Sequence, residues 1–506
     1  MGGSVITYDQ EFIHSTLKPD YSLAGEADDT VVMLAEVLEG RGALEAIPNL
    51  CYQTDGRLTF TEKNLKFGRD LNEQPFPDYS MFDIEGMLEA SMAARPLYRF
   101  YRKDPRIMPI VTARECPFAC TFCLHGHGGR AKYRARTTEN VMEEIKQLYD
   151  RYQFNILILL DSLMEYRRRY GWDFNWMFQT HANARLNLES LMLAKEAGCS
   201  YFSYGLESAS KRVLKSMKKG TQPEQYAEAI AMADQAQIGF GGNFIFGDPA
   251  ETPETISETL TFYRDHCSDI HCFMSGIQPY PGSALYGVCQ DMGLMPDKLV
   301  FYQTIDQKVF NMTQMPDAQW IGYLRAIVAF DSLPLCKTVD VTRIIRRALQ
   351  NRMTVNSGRQ FWELFAECPH CNKSFSYIEL TEPDRVPTHG LQIITGCEHC
   401  CKRIRLNVPV GKDQGLLLPI ETDPHDEARP IGQPTGVASS GDELPQFHNA
   451  SEEVQAFLDR MVTMCEQKSY HAAVAYYDRC RGQFQFHPAL VEFDRLVGTL
   501  RHKLAA

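Results

Sequence analysis

Between residues 104 and 335 the chain alternates short apolar runs with longer amphipathic ones. Six short runs predict buried strands: Arg106–Ala113, Phe154–Leu160, Trp176–His181, Tyr201–Gly205, Phe240–Phe246 and His271–Ile277. Thr138–Leu148 has helical periodicity and a threonine at its start, so it predicts an amphipathic helix. Strands alternating with helices predict parallel βα units and an α/β fold. Six such units make a partial (β/α)6 TIM-like barrel, and a complete eight-stranded barrel is the alternative.

The flanks follow other patterns. Pro19–Glu26 predicts a strand ending in a loop, and Val31–Leu38 a helix. Asn49–Phe60 predicts a hairpin turning at Asp55-Gly56, followed by a proline-rich connector at Asn72–Tyr79. Gly2-Gly3 reads as a tight turn. After residue 335 the alternation stops, and Val339–Arg352 predicts a basic amphipathic helix. Residues 411–450 are rich in Pro, Gly, Ser and acids, the composition of a mobile linker. Residues 451–506 predict two or three helices. Glu466–Tyr477 is similar to one hairpin of a tetratricopeptide-type repeat, which reads as a small helical tail or a dock for a protein partner. The expected division is 1–100, 101–335, 336–410, 411–450 and 451–506.

Composition narrows the class. A chain of 506 residues with 44% hydrophobic and 23% charged residues predicts several soluble globular domains. No apolar run reaches the length of a membrane span, and Met1–Ile6 has no basic or long apolar leader, so a cytoplasmic protein is expected. A net charge of −12 argues against a nucleic-acid surface spread over the molecule. Sixteen cysteines without an export signal read as metal ligands or reduced thiols.

Two cysteine groups carry the candidate chemistry. Cys116, Cys120 and Cys123 stand at spacing C-x3-C-x2-C, with Phe122 before the last, in a loop just after the first barrel strand. Thiolates are ligands of iron–sulfur clusters. Three of them leave one iron of a [4Fe–4S] cluster open to a substrate or second cofactor. Zinc is the alternative, with His125 or His127 as fourth ligand. The second group is Cys368-Pro-His-Cys371 and Cys397-Glu-His-Cys400, two C-x2-C knuckles flanked by the strand-like runs Gln392–Thr395 and Arg403–Val408. Gly396, Lys373 and Lys402 suit turns whose N–H groups face sulfur. Paired knuckles predict a zinc ribbon, with a second iron–sulfur cluster as the rival. Cys401 is a spare thiol.

The first cysteine loop resembles that of the radical S-adenosylmethionine (SAM) enzymes. Further stretches repeat that family's order: Arg134–Val141, Tyr204–Ser208 with Val213–Lys215, Ile245–Thr252, and Pro279–Tyr286. The resemblance implies a [4Fe–4S] cluster whose open iron chelates SAM. It implies reductive cleavage of SAM to a 5′-deoxyadenosyl radical, fed by a donor such as flavodoxin or ferredoxin. Methylation or another radical modification of an unactivated carbon is the implied outcome. A catalytically inactive metal-binding scaffold with the same fold is the alternative. By the same resemblance Asp161 would meet the SAM ammonium, Glu207 the ammonium or the ribose, Arg185 the carboxylate, and Gly247 the adenine.

Residues 1–100 resemble the last part of the cobalamin-binding domain that precedes the radical SAM core in one subgroup. The first half of such a Rossmann-like domain has no counterpart here. The expectation is therefore a truncated remnant that binds cobalamin weakly or not at all, although a longer parent chain would bind it. Residues 1–40 are expected to be the least well packed, with Val5, Ile6 and Val32 exposed.

Overall fold

The computed structural model describes residues 1–65, 69–91, 102, 105–124, 133–158, 169–182, 186–305, 308–332, 335–347, 360–381, 393–409 and 418–422. The expected helical tail lies outside the described residues, as do Asp161, Arg185, His125 and His127.

At the N-terminus, helix α1 (Ser4–Leu17) leads into strand β1 (Tyr21–Leu23), helix α2 (Asp28–Leu38) and the hairpin β2 (Leu50–Thr54) and β3 (Arg57–Phe60). The three strands form an antiparallel sheet in the order β1-β2-β3. Asp55 and Gly56 both have positive φ, as a tight hairpin turn requires. Leu23, Ile47, Leu50 and Tyr52 are covered by Met33, Leu34 and Val37 of α2. Met1 pairs through its main chain with the free edge of β1, donating to Tyr21 and accepting from Leu23. The expectation of a loosely packed start is corrected here. Val5 and Val32 are exposed, but Ile6 is 1% exposed and Ile13 is buried, because α1 packs on β1 and β2 while Tyr8 and Asp9 anchor it to the Leu124 carbonyl and to Lys298.

The barrel strands are β4 (Ile107–Pro109), β5 (Ile156–Ile158), β6 (Asn175–Thr180), β7 (Cys199–Glu207), β8 (Gly239–Phe246) and β9 (His271–Gly276). They form one open six-stranded sheet in sequential order with every pairing parallel. Helices α3 (Thr138–Tyr152), α4 (Leu188–Glu196), α5 (Lys211–Ser216), α6 (Pro223–Ala236) and α7 (Pro253–Phe262) connect them, and α8 (Ala284–Asp291), α9 (Lys298–Thr304) and α10 (Asp317–Ser332) follow. This is the partial barrel read from the alternation.

The two-residue period of a strand divides the sheet's side chains between its faces. Met108, Leu157, Trp176, Phe202 and Phe240 join the cluster made with the helices. Their neighbours Ile156, Met177 and Tyr201 join a different cluster, made with the C-terminal segment. Both faces are therefore covered, which is why these strands read as continuous apolar runs.

The C-terminal segment is built of strands. β10 (Thr338–Asp340), β11 (Arg343–Arg347), β12 (Gln360–Glu367), β13 (Ser374–Thr381), β14 (Ile393–Gly396), β15 (Arg403–Asn407) and β16 (Ile420–Thr422) form two sheets, β10-β15-β14 and β13-β12-β11-β16. The helix expected over Val339–Arg352 is corrected to β10 and β11. β11 is paired on both sides, by β12 and by β16, and that pairing overrides the helix-compatible pattern Arg-Ile-Ile-Arg-Arg. Its partner β16 lies inside the stretch expected to be linker from residue 411.

Candidate functional site

The first cysteine loop follows β4 at the end of the sheet where the strands finish, the end that carries reactive groups in barrels of this kind. Its base is fixed by a short ladder in which Ala113 faces Ala135 and Arg114 faces Arg134. Glu26 of the N-terminal unit binds both arginines: Oε2 lies 3.0 Å from Arg114 Nη1, and Oε1 meets Arg134. Asp28 adds a second carboxylate 2.6 Å from Arg114.

Main-chain bonds hold the interior of the loop. Thr121 N–H donates to the Met217 carbonyl at 3.0 Å, and Leu285 N–H donates to the Thr121 carbonyl at 3.1 Å. Phe122 packs with Val213, Met217, Ile277 and Leu285. These contacts join the loop to the segment after β7 and to the Pro279–Tyr286 stretch. The far end is tied by Tyr8 of α1, whose hydroxyl donates to the Leu124 carbonyl at 2.9 Å. The Tyr8 ring lies against Gly282, where a Cβ would fall 2.4 Å from it and where φ is +91°. Glycine is required there on both counts.

In this frame Cys116 is exposed, Cys120 buried and Cys123 half-buried. Burial pushes the Cys120 thiol up to about 11, while the Lys219 ammonium pulls it the other way. Lys219 Nζ lies 3.0 Å from Glu207 Oε1 and 5.8 Å from the centre of the Phe122 ring. Glu207 ends β7 with a φ of +64°, a conformation sparsely used by residues other than glycine. Burial raises its carboxyl, against the pull of Lys219. His181, at the end of β6, stacks on Phe118 with ring centres 3.7 Å apart. Burial, helped by Lys219, brings its pKa down to about 4, so the ring is neutral near pH 7. Gly247 follows β8 with a φ of +113°, and an added Cβ would lie 3.0 Å from the Trp320 ring. Its N–H donates to Glu251 Oε2 at 3.3 Å, and Thr255 Oγ1 donates to Glu251 Oε1 at 2.5 Å.

The loop therefore brings together Cys116, Cys120, Cys123, Phe122 and Glu207 of the expected site, with Gly247 at the end of a neighbouring strand. Tyr8, Phe118, His181 and Lys219 were not among the expected residues. Nothing in their spacing marks them: Tyr8, His181 and Lys219 are recruited from distant parts of the chain, and Phe118, inside the loop, is singled out only by its stacking on His181. The donor set suits an iron–sulfur cluster. Three thiols share one short loop, and the Thr121 hydroxyl between them is buried without a hydrogen-bond partner.

In the second cysteine group, Cys368, Cys371, Cys397 and Cys400 bring four sulfurs within 4.8 Å of one another, the one such group among the described residues. Cys368 and Cys400 are 3.7 Å apart, and Cys371 and Cys397 are 3.8 Å apart. Tetrahedral zinc with bonds of about 2.3 Å spaces its sulfurs by roughly 3.8 Å. The two knuckles are built alike. Cys368 N–H donates to the Lys373 carbonyl as Cys397 N–H does to that of Lys402. His370 and His399 N–H groups each donate to the first sulfur of their pair. Asn372 and Cys401 occupy the same left-handed position, with φ of 56° and 60°. That is the place of Cys401: a buried turn residue against the Ser200 and Gln237 carbonyls. Lys402 binds Asp234 at 2.7 Å and Asp269 at 3.2 Å, so this group sits at the start of the barrel strands, away from the first loop.

No helix among the described residues is long and apolar enough to cross a membrane. Residues 110–263 match the Radical SAM superfamily. The chain is similar to an uncharacterized methyltransferase of Pyrococcus horikoshii, with 26% identity over 377 residues, 70% of this chain and 78% of that protein. It is also 26% identical over 279 residues to the cytidylyl-2-hydroxyethylphosphonate methyltransferase of Streptomyces wedmorensis, covering 52% of each. The chain thus spans most of the first relative and about half of the second. Among solved structures it is similar to the radical S-adenosylmethionine methyltransferase TsrM of Kitasatospora setae with cobalamin and a [4Fe–4S] cluster bound. That match has a TM-score of 0.45 and 17% identity, over 58% of each chain.

Proposed function

We propose, for a chain whose residues 110–263 match the Radical SAM superfamily, that Cys116, Cys120 and Cys123 hold a [4Fe–4S] cluster at which SAM is cleaved to modify an unactivated carbon. When bound, the cluster supplies one-electron reductive cleavage of SAM into methionine and a 5′-deoxyadenosyl radical. Methyl transfer is the favoured outcome, since the relatives from Pyrococcus horikoshii and Streptomyces wedmorensis are named methyltransferases. The electron comes from a low-potential protein donor of the flavodoxin or ferredoxin class. The observation that carries the reading is the loop itself: three thiols of unequal burial, clamped at both ends, where six parallel strands finish.

The chain's own residues bind and orient. Glu26, Tyr8 and the Thr121 main chain hold the loop in place. Phe122 and Phe118 exclude water from its inner side. Glu207 offers a carboxylate to the SAM ammonium or ribose, and Gly247, where the backbone turns against Trp320 at the end of β8, is assigned to the adenine. Asp161 and Arg185 are assigned to the ammonium and the carboxylate of SAM. Zinc on Cys368, Cys371, Cys397 and Cys400 is structural in this reading.

The test is anaerobic reconstitution with iron and sulfide, then incubation with SAM and dithionite. Formation of 5′-deoxyadenosine is expected, and its absence from a fully loaded protein would sink the reading. Production of S-adenosylhomocysteine only on addition of hydroxocobalamin marks methyl transfer. Its retention by the chain on gel filtration would contradict the expectation of weak cobalamin binding.

A further inference from the structure

Glu207 and Lys219 bury opposite charges on the inner side of the cysteine loop. Their side chains are 10% and 6% exposed and lie 3.0 Å apart. Burying two charges removes them from water at a cost that their attraction often fails to offset, and an apolar pair would serve stability as well. The backbone at Glu207 adds a conformational cost at its φ of +64°. The fold thus maintains a costly arrangement at one place. What the arrangement achieves is directional. The ammonium is held toward the loop, 5.8 Å from the ring of Phe122, the residue before Cys123. It also bears on Cys120 more strongly than Glu207 does.

A fixed positive charge in a water-poor site stabilises an electron added nearby, and a negative charge opposes it. We infer that Lys219, oriented by Glu207, is a positioning residue that makes one-electron reduction of a cluster on Cys116, Cys120 and Cys123 more favourable. The inference rests on the cluster reading above. The electron comes from the external donor.

The test is an anaerobic redox titration followed by electron paramagnetic resonance of the reduced cluster, without SAM. Lys219→Met should lower the reduced-to-oxidised ratio at the wild-type midpoint about tenfold, a shift of ~59 mV for one electron. Lys219→Arg should restore the ratio to within about twofold, because the charge is kept. Glu207→Gln, which leaves the ammonium uncompensated, should raise it. An unchanged ratio in a fully loaded Lys219→Met protein overturns the inference. So does a fall of the ratio in Glu207→Gln, which would mean that the pair acts only by holding the loop's shape. Where a single variant fails to fold, the doubly neutral Lys219→Met/Glu207→Gln protein replaces it. A ratio below wild type supports the inference, and one equal to wild type overturns it. A wild-type chain that takes up no cluster refutes the cluster reading instead.

Discussion

The Tyr8 hydroxyl reaches across 116 positions of sequence to donate to the Leu124 carbonyl, one residue past the last cysteine of the loop. Its neighbour Asp9, at a kink in α1, accepts from Lys298 and Tyr302 at 2.7 Å each and from Tyr286 at 3.2 Å. With Glu26 on Arg114 and Arg134, the N-terminal unit grips both ends of the cysteine loop. Tyr8→Phe should cost about 0.5–1.5 kcal/mol of local stability, the usual net value of one hydrogen bond. Asp9→Asn removes a partly buried charge partner and should cost about 1.5–3 kcal/mol. Both should speed anaerobic release of iron to a chelator from reconstituted protein, Asp9→Asn more. Equal release rates in the three proteins would show that α1 does not support the loop.

Replacing any one of Cys116, Cys120 and Cys123 by Ala should abolish SAM cleavage while leaving the fold. The loop's main-chain bonds, from Thr121, Leu285 and Cys123 N–H groups, do not use the thiols. Far-ultraviolet circular dichroism should match wild type. If the triple variant still forms 5′-deoxyadenosine from SAM and dithionite, the cluster assignment fails.

Metal analysis should find one zinc per chain at Cys368, Cys371, Cys397 and Cys400. Cys397→Ser should lose it together with about 3 kcal/mol or more of stability, since metal binding and folding are coupled in such ribbons. The loss should extend into the barrel, because Cys368 and Cys397 share a core cluster with Ile156, Met177 and Tyr201. A brown ribbon containing only iron would assign a second cluster to these sulfurs.

Burial raises the Glu251 carboxyl from 4.5 to about 7. The folded protein therefore holds this proton where the unfolded chain has released it. Wild-type stability should fall as the pH rises from about 4.5 to about 7 and level off above that, by about 1–3 kcal/mol from this group. Glu251→Gln does not titrate. Its stability relative to wild type, measured by urea unfolding, should improve across that window. A constant difference between the two proteins from pH 5 to 8 would rule out a proton on Glu251.

The barrel was legible because strands covered on both faces leave continuous apolar runs, as in Ile156-Leu157-Ile158. The knuckles were legible because their ligands are local in sequence. What was not legible depends on distant partners. Arg343–Arg347 reads as helix until β16 is placed beside it, and β16 lies in a stretch that composition assigns to linker. Ile6 looks exposed until Tyr8 finds Gly282 and Asp9 finds Lys298. Lys219, between Lys218 and Gly220, carries no spacing signal, and only the turn after α5 brings it to Glu207.

The clamps on the cysteine loop also set an order of events during synthesis. The third thiol is made at residue 123, but the contacts that fix the loop's surroundings are completed by Met217, Leu285 and Lys298. At about 5–20 residues per second, roughly 10–35 s pass between the third cysteine and the last of these residues. For that interval the thiols belong to a nascent chain that has the residues of its N-terminal clamps but lacks the Met217 and Leu285 bonds and the Lys298 anchor of α1. On the proposed cluster assignment, iron and sulfur meet a fully pinned loop only after all six barrel strands have been translated.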